Sequence, residues 1–153
     1  MYKEELGHLT LSLFAGAVIA VIFGNLWVIA WAVLSGFLID GDHLFDYIRY
    51  KGLNGLSLKE FFGGSYFDQS GKVILPLHGF EYCLIFAVVA YIFTDWRPAM
   101  LALALSLFFH LVFDTLTNHP IWPTYSILFR AFNRFDHHKF DFKSRQANKL
   151  VSK

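Results

Sequence analysis

The sequence predicts an all-α membrane protein, a four-helix transmembrane bundle with an interfacial C-terminal segment. Three observations predict it. The 153 residues are 56% hydrophobic and 19% aromatic but only 16% charged, against about 25% charged in soluble domains. The apolar residues gather in four stretches near the length of a membrane-spanning helix, about 17 to 25 residues. None of the stretches alternates with period two, as the strands of a membrane barrel do. Helices satisfy their own backbone groups in lipid, so helices are expected here. The length suits one membrane domain over residues 1–153, and no internal repeat or low-complexity segment interrupts it.

The first span is expected over about 6–23, and Gly24-Asn25 breaks it. The start, Met-Tyr-Lys-Glu-Glu, lacks the basic n-region of a cleavable signal, so a retained anchor is expected. The second span covers about 26–43 and ends in IDGDHLFDY. A polar, glycine-rich connection from Arg49 to about Lys72 follows. The third span covers about 76–94 and contains LHGFEYCLIFAVVAYIF; its lone Cys83 reads as a packed thiol. Asp95-Trp96-Arg97-Pro98 makes a turn, with Pro98 suited to a first helical turn. The fourth span covers about 98–117. Ile121, Trp122, Tyr125, Ile127, Leu128, Phe129 and Phe132 then read as an interfacial element or as packing against the bundle. A basic tail over about 130–153 closes the chain.

Basic residues orient such a bundle. Lys3 precedes the first span. Arg49, Lys51, Lys59 and Lys72 lie between the second and third. Arg130, Arg134, Lys139, Lys143, Arg145, Lys149 and Lys153 follow the fourth, and Arg97 alone occupies a loop of the other class. Both termini are therefore expected in the cytoplasm, in a multi-pass protein of the cell (inner or plasma) membrane. The net charge of +1 carries no nucleic-acid signal, and the basic tail would meet anionic lipid headgroups.

That topology places every ionisable cluster at one depth. His8 opens the first span. Asp40, Asp42, His43 and Asp46 close the second. His78 and Glu81 open the third, and His110 and Asp114 close the fourth. Charge within a membrane is expensive and marks function by default. His110 and Asp114 are four apart, His78 and Glu81 three, and Asp42 and Asp46 four, so each pair is expected on one helix face. Facing helices can build a metal site from such pairs. Imidazole with carboxylate suits zinc, manganese or iron, and one or two ions can be served. His8, Asp40, Asp42, His43, His78, His110 and Asp114 are the expected ligands. Glu81 and Asp46 are the expected catalytic carboxylates. A buried His–Asp hydrogen bond joining helices is the rival reading of each pair. His119 is a further candidate, and His137 and His138 read as solvated.

His8, the LIDGDH segment, the LHGFE segment and FHLVFDTLTN together resemble the membrane-bound metal-dependent hydrolases, from His8 to about Trp122-Pro123. That family's second element is proline-aspartate-x-aspartate-histidine; Asp40, Asp42 and His43 match, and Ile39 replaces the proline. Its third element carries an arginine-bearing histidine motif followed by His-Ser; His78 matches, and Gly79 and Glu81 differ. His110, Asp114 and Thr117 match the fourth. The resemblance implies a metal-dependent hydrolase, distantly like zinc-dependent phospholipases and nucleases, and so phosphoester cleavage.

The expected function is hydrolysis of a phosphoester of a lipid or lipid-linked substrate at the cytoplasmic face. A non-catalytic metal carrier or sensor is the alternative, although the outer half offers almost no polar path for transport. A di-iron oxidase would favour Glu-x-x-His pairs, whereas this chain is aspartate-rich.

Overall fold

The computed structural model describes residues 2–63, 66–118 and 123–140. Among these residues every regular element is helical, and a single isolated β-bridge joins Lys72 to Asp136. Helix α1 is Tyr2–Phe23. A short turn leads into α2, Val28–Gly36, then a 3-10 turn, Leu38–Asp40, and α3, Gly41–Lys51. The expected second span thus continues as one bent helical rod to Lys51. The bend falls beside Gly36, whose carbonyl accepts the ring N–H of His110 at 2.7 Å. Helices commonly tighten or bend where a side chain enters the backbone ladder.

The connection expected to be irregular carries two short helices, α4 (Leu58–Gly63) and α5 (Tyr66–Ser70). Helix α6 is Phe80–Ile92, and α7 is Arg97–Asn118. Three helical stretches are long and apolar enough to cross a membrane: Glu4–Phe23, Val28–Lys51 and Thr94–Asn118. The helix of the expected third span is shorter than 76–94, at Phe80–Ile92. It has 13 residues, about 20 Å at 1.5 Å per residue, short of a hydrocarbon core of about 30 Å. Leu75–Gly79 forms a turn instead: His78 N–H donates to Leu75 O, and Gly79 is extended.

Helix α7 is the centre of the packing, against α1, α2 and α6, and α1 also packs on α2. Its buried residues Ala99, Ala102, Leu103, Ser106, Leu107, His110, Leu111 and Asp114 recur at helical spacing. Lipid is as apolar as leucine, so helices in it associate by close packing and polar contacts. A Cβ on Gly36 would lie 2.1 Å from Ser106 Oγ and 2.2 Å from Ser12 Oγ, so only glycine fits between α1 and α7 there. Gly16 similarly lets α1 approach Ile29 on α2. Ser106 and Ser12 donate to Ala32 O and His8 O, at 2.7 Å each, which leaves neither hydroxyl unsatisfied.

The C-terminal part packs over the polar end of these helices. Ser126 caps α8 (Ile127–Phe132) by accepting from Phe129 N at 3.1 Å. Phe140 is buried with Val73 and Leu75, with Phe129 against them. This C-terminal segment therefore has a packed side and an exposed apolar side, Leu128 and Phe132. Arg130, expected in the basic tail, is buried. His119, Ile121, Trp122, Lys143, Arg145, Lys149 and Lys153 lie outside the described residues.

Candidate metal centre

The structure brings all seven expected ligands into one region. Their donor atoms form three overlapping groups, His8/His110/Asp114, Asp40/His78/His110 and Asp42/His43/His78, each with its ligand atoms within 4.8 Å of one another. His8 comes from the second turn of α1 and Asp40 from the 3-10 turn. Asp42 and His43 open α3, His78 lies in the turn before α6, and His110 and Asp114 occupy the last turns of α7. His8, Asp42, His78, His110 and Asp114 are buried; Asp40 and His43 are partly exposed and form the open edge.

The hydrogen bonds decide which ring nitrogens can bind. A carbonyl and a carboxylate only accept. Gly36 O therefore holds the proton on His110 Nδ1. Both oxygens of Asp42 lie 3.0 Å from His78 Nδ1 and hold the proton there. Nε2 is left as the ligating atom of His110, oriented by its outer partner; His78 Nε2 also faces Asp40 Oδ1 at 3.2 Å, so a cation there would displace any proton shared with that carboxylate. These two Nε2 atoms face each other at 3.2 Å. Two imidazole lone pairs at that distance repel unless a proton or a cation lies between them.

Two carboxylates complete the arrangement. Asp40 Oδ1 is 3.2 Å from His78 Nε2 and 3.6 Å from His110 Nε2. Asp114 Oδ2 is 3.3 Å from His110 Nε2 and 3.7 Å from His78 Nε2. Ligands about 2.0 to 2.1 Å from a tetrahedral zinc stand roughly 3.3 Å apart, so these separations suit a small divalent cation. Asp40 Oδ2 and His8 Nδ1 are buried with no hydrogen-bond partner, donors that a cation would satisfy. Buried polar atoms without partners are rare in folded proteins. The buried His/Asp clusters can hold a metal ion.

Two flanking histidines extend the centre. His8 Nε2 lies 3.3 Å from Asp114 Oδ1, and its ring stacks on that of His110 at 3.8 Å. On the other side His43 Nε2 lies 3.5 Å from Asp40 Oδ1. Tyr66 backs His43: its hydroxyl donates to His43 O at 3.2 Å, and burial raises its pKa.

The two expected catalytic carboxylates are held elsewhere. Asp46, fully buried, pairs with Arg49 at 2.9 Å and accepts from Ile74 N at 3.3 Å. Glu81 does not share a helix face with His78, because His78 precedes α6. Its carboxylate accepts from Ser126 Oγ, from Ile127 N at 3.1 Å and from Leu128 N at 3.2 Å, at the start of α8. Asp42 accepts from Leu77 N at 2.8 Å, so Asp42 and Asp46 together dock the 74–78 segment onto α3.

Two residues were missed in the sequence. Glu5 lies within electrostatic reach of Asp40, His8, His110 and Asp114, and it makes no side-chain hydrogen bond among the described residues. Its spacing of three from His8 is the signal that could have found it. Arg130 donates from Nη2 to Leu75 O at 2.9 Å and to His78 O. Desolvation lowers its pKa, while the Asp42 and Glu81 charges oppose that. Its position inside the apolar run ILFRAF was the available sign.

No protein-family model, curated protein or solved structure matches this chain.

Proposed function

We propose that this chain is a membrane-embedded, metal-dependent hydrolase that cleaves a phosphoester of a lipid or lipid-linked substrate at the cytoplasmic face of the cell (inner) membrane. One observation carries the reading: His78 Nε2 and His110 Nε2, each with its other nitrogen held by an acceptor, face each other at 3.2 Å beside Asp40 and Asp114. The resemblance to the membrane-bound metal-dependent hydrolases supports the same assignment. In this reading α6 with its flanking turns makes a fourth, shorter span, and both termini are cytoplasmic, as the basic residues favour.

His78, His110, Asp40 and Asp114 would hold the ion, zinc by the mixed imidazole–carboxylate donor set, with His8 on one side and His43 on the other as further ligands for a second ion. A bound divalent ion supplies Lewis acidity toward a phosphoryl oxygen and acidifies water. Asp42 and Gly36 O keep the two imidazoles in the ligating tautomer. Glu5, within electrostatic reach of His8, His110, Asp40 and Asp114 and with no side-chain hydrogen bond among the described residues, is the carboxylate we assign to take a proton from the attacking water.

The experiment is elemental analysis of the purified protein, followed by turnover of a chromogenic phosphodiester and of phospholipid vesicles before and after chelation. Bound zinc, with activity lost on chelation and restored by zinc, is expected. Stoichiometric metal without turnover on either probe would favour a carrier or sensor. Absence of bound metal after zinc loading would end the metal reading.

A further inference from the structure

We propose that Arg130 is a positioning residue for this centre, a buried guanidinium that reaches from α8 to fix the turn carrying His78. The inference rests on the metal-centre reading for its affinity readout but not for its structural one. Arg130 is 1% exposed, in a segment whose neighbours Leu128 and Phe132 are 62% and 87% exposed. One terminal nitrogen, Nη2, donates to both Leu75 O and His78 O, the two carbonyls that bracket the turn. His78 is outside any helix, so no backbone ladder sets the direction of its ring. Three devices do so instead. Asp42 takes Leu77 N–H and His78 Nδ1–H from the α3 side. Phe80 N–H donates to Tyr125 O at 2.9 Å. Arg130 closes the turn from the α8 side.

Arg130 is itself held in place. Glu81 binds the first N–H groups of α8, which docks that helix on the start of α6. Helix α8 has only six residues and would not persist alone in water, so its docking is what delivers the guanidinium. Asp42, Glu81 and Asp46 lie within electrostatic reach of the buried cation. Asp42 thus links Arg130 to the far nitrogen of the same imidazole. Removing a group that orients a ligand typically weakens metal binding by about 10- to 100-fold.

The test uses the full chain in detergent or nanodiscs, with R130M, R130K and an F132A control at an exposed site on the same helix. Zinc affinity is measured by chelator competition, and hydrogen exchange at Leu75–Gly79 is measured in metal-free protein. R130M keeps the apolar stem and loses the donor. It is expected to bind zinc about tenfold or more weakly and to exchange faster at the turn. Because one nitrogen makes both bonds, R130K is expected to recover most of both, and F132A to match wild type. Wild-type exchange at the turn in R130M, or an F132A effect as large as that of R130M, would overturn the proposal. Should R130M fail to fold, R130K decides by the same exchange: turn protection close to wild type supports the donor role, and loss equal to that of an H78A turn overturns it. Faster exchange in R130M with a wild type that binds no zinc would leave this inference standing and end the metal reading.

Discussion

His110→Ala is the perturbation that bears most directly on the centre. His110 contributes two separable interactions. Its Nε2 lies 3.2, 3.3 and 3.6 Å from His78 Nε2, Asp114 Oδ2 and Asp40 Oδ1. Its Nδ1–H is the donor to Gly36 O at 2.7 Å. Four-ligand zinc sites bind with apparent free energies of about 10 to 16 kcal/mol. An equal share for each ligand is roughly 2.5 to 4 kcal/mol, a loss on the order of 100- to 1,000-fold in affinity. The second effect falls on the metal-free protein. A buried carbonyl deprived of its partner destabilises by about 1 to 3 kcal/mol. The two readouts are therefore zinc affinity by chelator competition and thermal unfolding of the chelated protein. His138→Ala, at an exposed histidine, is the control for zinc bound merely by surface imidazole. H110A retaining zinc at wild-type stoichiometry and affinity would refute the assignment, because no centre that uses His110 Nε2 as a ligand survives its removal unchanged.

Three further outcomes follow from the same geometry. Asp42→Asn removes the charge that holds the proton on His78 Nδ1, so zinc affinity should fall by about 10- to 100-fold; a chelator titration that leaves it unchanged would show that Asp42 does not orient the ring. Glu5→Gln should keep the metal and lower turnover of the phosphodiester by about 100-fold or more; unchanged turnover would move proton acceptance to another group. Gly36→Ala would push a methyl group to within 2.1 Å of Ser106 Oγ and 2.2 Å of Ser12 Oγ. It should destabilise by about 1 to 3 kcal/mol and weaken zinc binding, because α2 carries the carbonyl that orients His110; thermal unfolding and zinc titration of the same sample check both.

The depth of the polar clusters was legible because hydrophobic pattern sets where a residue lies along a membrane helix. His8, Asp40, His110 and Asp114 were readable as neighbours on that ground, and the spacing of four put His110 and Asp114 on one face. Direction around the helix axis was harder to read. Asp46 shares the face of Asp42, but Arg49 one turn later takes its carboxylate, and the spacing of three between them is the signal of that pairing. Glu81 is taken by α8, 45 residues further along the chain, a contact that no local pattern encodes. The helix of the third expected span starts later than 76 for a related reason. The run from Pro76 to Gly79 is apolar enough to extend a helix by composition, yet tertiary bonds from Asp42 and Arg130 hold it as a turn. Arg130 itself was counted as one more basic residue of a tail. Composition registers a charge but not whether that charge is buried.

Charge balance ties the separate contacts together. Asp46 is matched by Arg49, and Asp42 lies within reach of the buried Arg130. Asp40, Asp114 and Glu5 have no lysine or arginine partner among the described residues and face imidazoles instead. Protonating those imidazoles is one way to balance three carboxylates, but the contacts restrict it. His110 Nδ1–H is already given to Gly36 O, and a second proton on its Nε2 would point toward His78 Nε2 only 3.2 Å away. Both rings cannot carry that proton without placing two like charges edge to edge between two buried side chains. A divalent cation removes the conflict, since it neutralises two carboxylates and uses both lone pairs at once. A second ion beside His8 would carry the site past neutrality, toward the positive charge that an anionic phosphoester requires. The prediction with most leverage is therefore the proton count. Zinc binding near neutral pH should release protons, because metal ligands must be deprotonated; calorimetry in buffers of different ionisation enthalpy measures that number. Zinc binding with no proton release would mean that the imidazoles were already neutral in the metal-free protein, with two Nε2 lone pairs 3.2 Å apart; the Nδ1–H tautomers would stand, and the balance of the three carboxylates by protonated imidazoles would fall.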